Sequence, residues 1–208
     1  MIPLQAILGA VKICAALAAV ALLSACAAGS VGDATPEQVA RAAYVPSGPP
    51  SLTVKTVVNN KTGAGGHSSL LVSGSQQVIF DPAGTFQHEG VAERGDVLYG
   101  MSPAWVAAYK SAHARNTYHV VSQKIELTPA QAERALQLVQ SNGAVPSAFC
   151  ANATSSLLRK IEGFEDIKVT FYPVNLMEQI ARRPDVVTDR YYENDSGDVL
   201  DGVVGVEG

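Results

Sequence analysis

The sequence predicts an α+β domain with a mainly antiparallel sheet packed against helices. Two observations carry that expectation. Val- and Thr-rich segments of alternating polarity come first, joined by short Gly- and Ser-rich loops, and helical signals interleave with further strand-like runs only afterwards. With 47% apolar and 16% charged residues, a chain of 208 residues can also bury an ordinary core.

The elements run in order. Lys12 precedes an apolar run, Ile13 to Leu23, about as long as the hydrophobic part of a signal peptide and too short to span a bilayer. Residues 26–34 are small and suit a tether. Thr35-Pro36-Glu37-Gln38 supplies a capping hydroxyl, a first-turn proline and early acidic and amide groups, so a short helix is expected before Pro46. Leu52 to Val58, His67 to Val72 and Gln76 to Asp81 read as strands, the last two split by Ser73-Gly74-Ser75. Pro103 to Ala114 reads as a helix and Tyr118 to Leu127 as a strand. Thr128-Pro129 starts a helix whose Ala132, Ala135, Leu136 and Val139 share one face, and Asn142-Gly143 stops it. A helix from Ser147 to Ile161, a strand from Lys168 to Tyr172 and a short helix from Val174 to Ala181 complete the domain. Residues 188–208 are acidic and Gly-rich and are expected to form a mobile tail, so the folded domain spans 35–187.

Candidate chemistry centres on Cys150. Ser147 behind Pro146 is the expected cap, which places the thiol in the first helical turn, where free N–H groups and the dipole favour a thiolate. Cys150, Ala153, Leu157 and Ile161 share a face, so the sulfur points to the packed side. If the early hairpin turns about Gly74, His67 and Asp81 stand directly opposite each other on one face, with Cβ atoms about 5 Å apart. A carboxylate beside an imidazole fixes its tautomer, and a thiol brought to that face would complete a nucleophile, base and orienting group.

Zinc held by His67, Asp81 and Cys150 lacks a close-spaced ligand pair, and neither metal nor organic cofactor is expected. His88, His113 and His119 stand singly in the sequence; His119, next to Tyr118 in a strand, could substitute as an orienting group but reads better as a solvent-facing histidine. Trp105, Tyr109 and Met101 could line a substrate groove but suit ordinary packing better, and residues 193–198 fail the spacing of a calcium loop. The net charge of −4, without a basic cluster, argues against nucleic acid as a partner.

Two resemblances add to this. Leu23-Ser24-Ala25-Cys26 resembles the lipobox of bacterial lipoproteins, which implies a signal peptide at 1–25, lipidation of Cys26 and Cys150 as the one remaining free thiol. Gly66-His67-Ser68-Ser69-Leu70-Leu71, then Ile79-Phe80-Asp81-Pro82-Ala83-Gly84, then Phe149-Cys150-Ala151-Asn152-Ala153 are similar in order to the circularly permuted branch of the papain-like NlpC superfamily, which includes lecithin:retinol acyltransferase-like proteins. That resemblance, over about residues 52–180, implies Cys150 as nucleophile, His67 as base and Asp81 as orienting group. The family often has Tyr before the cysteine, where this chain has Phe149, so backbone N–H groups would serve the oxyanion. The expectation is a cysteine hydrolase lipid-anchored in the bacterial cell envelope, on the periplasmic side of the outer membrane. It would cleave an amide or ester in a peptidoglycan peptide or a lipid or other acyl substrate. The alternative is a non-catalytic lipoprotein that binds or assembles, with Cys150 buried and inert.

Overall fold

The structure, a computed structural model, describes residues 32–195. The signal peptide at 1–25, Cys26, the tether to residue 31 and the tail from 196 to 208 lie outside the described residues. Among the described residues no helix is long and apolar enough to cross a membrane.

The described elements are α1 (Pro36–Ala42), β1 (Ser51–Asn59), β2 (Gly65–Ser73), β3 (Gln77–Phe80), β4 (Glu93–Arg94), β5 (Val97–Tyr99), α2 (Pro103–His113), β6 (Tyr118–Glu126), α3 (Pro129–Gln140), α4 (Cys150–Leu158), α5 (Pro173–Ala181) and β7 (Val187–Tyr192). The strands form one sheet in the order β4-β5-β3-β2-β1-β6-β7, and every neighbouring pair is antiparallel. The α+β class follows directly.

Side chains alternate across a strand, so each strand serves two layers. Leu52 and Val54 of β1, with Leu70 and Val72 of β2, pack against Ala135 and Leu136 of α3, Leu157 and Leu158 of α4 and Leu176 and Ile180 of α5. On the other face Ile79 and Leu98 meet Ala108, Tyr109 and Ala112 of α2. Helices on both faces explain why β1 is buried along almost its whole length, polar residues included. Capping boxes at Thr35–Gln38 and Thr128–Gln131 start α1 and α3 as their sequences specify.

Four expectations need correction. First, the β2–β3 hairpin pairs Ser73 with Gln77 and Leu70 with Phe80, two residues away from a register centred on Gly74. Glu133 of α3 takes the Ser75 N–H at 2.6 Å and the Ser75 hydroxyl at 2.9 Å, which centres the turn on Ser75. Second, α4 starts at Cys150 and ends at Leu158, without a side-chain cap; residues 147–148 form a turn, with Ala148 at φ 69° and the Phe149 N–H donating to the Pro146 carbonyl at 3.2 Å. Ser147 is therefore not the cap. Third, residues 168–172 join no sheet. Their polar backbone is taken by side chains: Gln179 brackets Lys168 with bonds of 2.7 and 3.0 Å, and Ser155 Oγ accepts from Thr170 N–H at 3.2 Å. Fourth, residues 188–192 are not a loose tail but part of edge strand β7 (Val187–Tyr192) on β6. Arg115 anchors the chain just beyond this strand, meeting Glu193 at 2.8 Å and Asp195 at 2.9 Å, while Tyr192 stacks on His119.

Candidate active site

The site lies where the sheet has a notch. β2 begins at Gly65 and pairs with β1 from its first residues, but β3 accompanies it only from Leu70 onward. Residues 65–69 thus have a strand on one side, and none among the described residues on the other. Into this notch come Asp81, immediately after β3, and Cys150, the first residue of α4.

The corrected register leaves the expected pair intact because of strand parity. A slip of two residues preserves the face, whereas a slip of one would have sent Asp81 to the other side. His67 and Asp81 become diagonal neighbours, and His67 Nε2 lies 2.7 Å from Asp81 Oδ1. Asp81 is buried and the His67 side chain is 14% exposed, so the pair reaches solvent through the imidazole. Gly84 closes the turn that presents the carboxylate, donating its N–H to the Asp81 carbonyl at 2.9 Å. A Cβ at Gly84 would fall on the Asp81 carboxylate, so a side chain here would have to displace that carboxylate.

Cys150 is buried, and its sulfur lies close enough to the His67 imidazole for each group to shift the other's protonation. The backbone N–H groups of Ser68 and Ala151 also favour the thiolate. Ser68 can do this because its stretch of β2 faces the notch.

The electrostatics agree with the geometry. Burial opposes charge on His67, but the hydrogen bonds to Asp81 and Cys150 and the negative charge of both outweigh it and raise the imidazole to about 10. Burial alone would raise the Asp81 carboxyl; the hydrogen bond and charge of His67, the charge of His113 and the Tyr109 hydroxyl bring it below its ordinary value. Burial likewise pushes the Cys150 thiol up, and the His67 bond and charge with the two N–H donors overcome this and lower it. Each group is tuned toward a thiolate–imidazolium–carboxylate row.

Helix α2 adds residues that sequence reasoning placed elsewhere. Tyr109, read as packing, is 1% exposed, and its hydroxyl donates to Asp81 Oδ1 while lying 3.0 Å from Ser69 Oγ. His113, which stands singly in the sequence, stacks on His67 with centroids 5.8 Å apart and planes 15° apart, its Nδ1 bonded to the Tyr109 carbonyl at 2.7 Å. The four-residue spacing of Tyr109 and His113 on one helix face was the available signal. His119 instead bonds Asn60 at 2.8 Å, and Met101 is core.

His67, Asp81 and His113 each bring a ligand atom within 4.8 Å of the others. The His67–Asp81 contact of 2.7 Å is shorter than the roughly 3.3 Å between ligands about a tetrahedral ion with bonds near 2.0 Å. Asp81 Oδ1 already accepts two hydrogen bonds, so these atoms fit a proton relay better than a metal cage. No protein-family model, curated protein or solved structure matches this chain, and the functional reading stands on the site's own geometry.

Proposed function

We propose that this chain is a cysteine hydrolase with a permuted papain-like arrangement, acting on an amide or ester through an acyl-enzyme at Cys150. The observation that carries the reading is the continuous row from the Cys150 thiol through the His67 imidazole to the buried Asp81 carboxylate. His67 takes the thiol proton, and the thiolate attacks the carbonyl carbon of the substrate. Backbone N–H groups beside Cys150 support the developing oxyanion in place of a side chain, since Phe149 offers no hydroxyl. The imidazolium returns its proton to the leaving amine or alcohol as the C–N or C–O bond breaks. Neutral His67 then draws a proton from water, whose oxygen attacks the thioester, and the acid leaves as the thiol reforms.

The lipobox-like run ending at Cys26 supports a place in the bacterial cell envelope, anchored by lipid on the periplasmic face of the outer membrane. Peptidoglycan peptides and acyl lipids are the substrate classes that suit that compartment.

A panel of chromogenic amides and esters, followed by intact mass, tests the reading. A substrate that is turned over should add its acyl mass to Cys150, and Cys150→Ala should lose both turnover and adduct while keeping its melting temperature within a few degrees. Turnover retained by Cys150→Ala would overturn it.

A further inference from the structure

Among the described residues, Tyr109 is the one buried phenol that reaches the catalytic row, and its position suggests more than packing. Its single proton cannot serve two acceptors. The carboxylate is the stronger one, so the phenol donates to Asp81 Oδ1 and accepts from the Ser69 hydroxyl at 3.0 Å. Asp81 Oδ1 is also the oxygen that meets His67 Nε2 at 2.7 Å. Tyr109 therefore acts on the same atom that orients the base.

The proposed reaction requires His67 to alternate between imidazolium and imidazole. While it is an imidazolium, the buried Asp81 carboxylate has a counter-charge. When His67 is neutral, as deacylation requires, that counter-charge is gone and the carboxylate depends on whatever other donors it has. Helix α2 supplies one. The titratable groups around Asp81 include His67 from β2, Cys150 from α4, His113 and Tyr109 from α2, Glu93 from β4, and Asp96, whose carbonyl accepts the Asp81 N–H at 2.8 Å, with Lys55 of β1 acting on His113. Burial is the largest influence on His113 and lowers it, which weakens its hold on a positive charge beside Asp81.

We propose that Tyr109 is a positioning residue that holds Asp81 as a carboxylate through the neutral-imidazole half of the cycle, and so keeps His67 able to accept the proton from water in deacylation. Ser69 assists by donating to the phenol oxygen, which makes the phenol a better donor. The inference rests on the hydrolase reading, and its sign is specific. Without the phenol proton, the state with neutral His67 loses more than the state with imidazolium. His67 should therefore hold its proton to higher pH.

The test is Tyr109→Phe, which keeps the ring in its packed site, compared with wild type by His67 NMR titration and by the pH profile of turnover. The expected result is a His67 titration displaced upward by about one pH unit, with a turnover loss of about tenfold at pH 7 that is partly recovered at higher pH. Ser69→Ala, which leaves Tyr109 in place, should move the titration the same way by less, and serves if Tyr109→Phe folds poorly. An unmoved or lowered His67 titration in both variants would overturn the proposal. The hydrolase reading fails separately, if the wild-type protein neither turns over any substrate nor forms an adduct at Cys150.

Discussion

Asp81→Asn removes one charge and keeps the shape of the site, so its effects can be worked out with their signs. In the folded protein His67 is raised from about 6.5 to about 10 by Asp81 and Cys150 acting against burial. At about 1.36 kcal/mol per pH unit this is on the order of 5 kcal/mol in favour of the imidazolium, shared between the two partners. A hydrogen bond to a charged group accounts for about 1.5–3 kcal/mol, so the variant should lose roughly 10- to 150-fold in kcat/KM. A group raised on folding contributes stability that is full below its unfolded pKa, about 6.5 for histidine, and is lost as pH rises through about 10. Asp81 is lowered on folding, so its contribution is full above about 4 and is lost as pH falls through the lowered value. The pair is therefore most stabilising between about pH 4 and 6.5. Melting temperatures of wild type and Asp81→Asn should differ most there and converge toward pH 10, while the alkaline limb of the variant's activity moves to lower pH. A melting difference independent of pH, or an alkaline limb that stays in place, would refute the His67–Asp81 ion pair.

Other outcomes follow from the same structure. Gly84→Ala should cost at least tenfold in activity without altering a member of the row, because its Cβ falls on the Asp81 carboxylate and displaces it from His67; steady-state kinetics check this, and normal activity in the Gly84→Ala protein contradicts the close approach. Lys55, 3% exposed, has one hydrogen bond among the described residues, to Ser122 Oγ at 3.4 Å, and burial followed by the Lys110 charge lowers it to about 7. The unfolded chain holds that proton to about 10.5, so stability should rise with pH between about 7 and 10.5. Lys55→Met should abolish that rise and stabilise the protein at neutral pH by on the order of 2–4 kcal/mol, measured by urea unfolding at several pH values.

Much of the frame was legible because local periodicity and tertiary burial agree. β1, β6 and the cores of α2 and α3 follow their polar–apolar alternation or helical stripes, and the Thr-Pro starts of α1 and α3 are capped as written. The site was legible through parity: His67 and Asp81 share a face in either of two registers, so an error of two residues left their contact intact. The features that sequence could not show depended on distant partners. The turn register is set by Glu133, far along the chain, and the backbone of residues 168–170 is captured by Gln179 and Ser155 in place of a neighbouring strand. β4 and β5 are two and three residues long, too short for any period to declare itself. β7 looked like a tail because its acidic surroundings mask an edge strand tied down by Arg115. Tyr109 and His113 were visible as a spaced pair, but only the packing of α2 on the sheet shows which strands they meet.

The central claim is that Cys150 is a thiolate paired with the His67 imidazolium at neutral pH. Its most direct measurement is the rate of Cys150 alkylation by iodoacetamide as a function of pH, with peptide mapping to assign the adduct to Cys150. The account predicts rapid labelling that persists well below pH 7, and loss of that low-pH reactivity in His67→Ala. A thiol that labels only as pH rises through the ordinary cysteine range near 8.5, or a profile unchanged by His67→Ala, would contradict it.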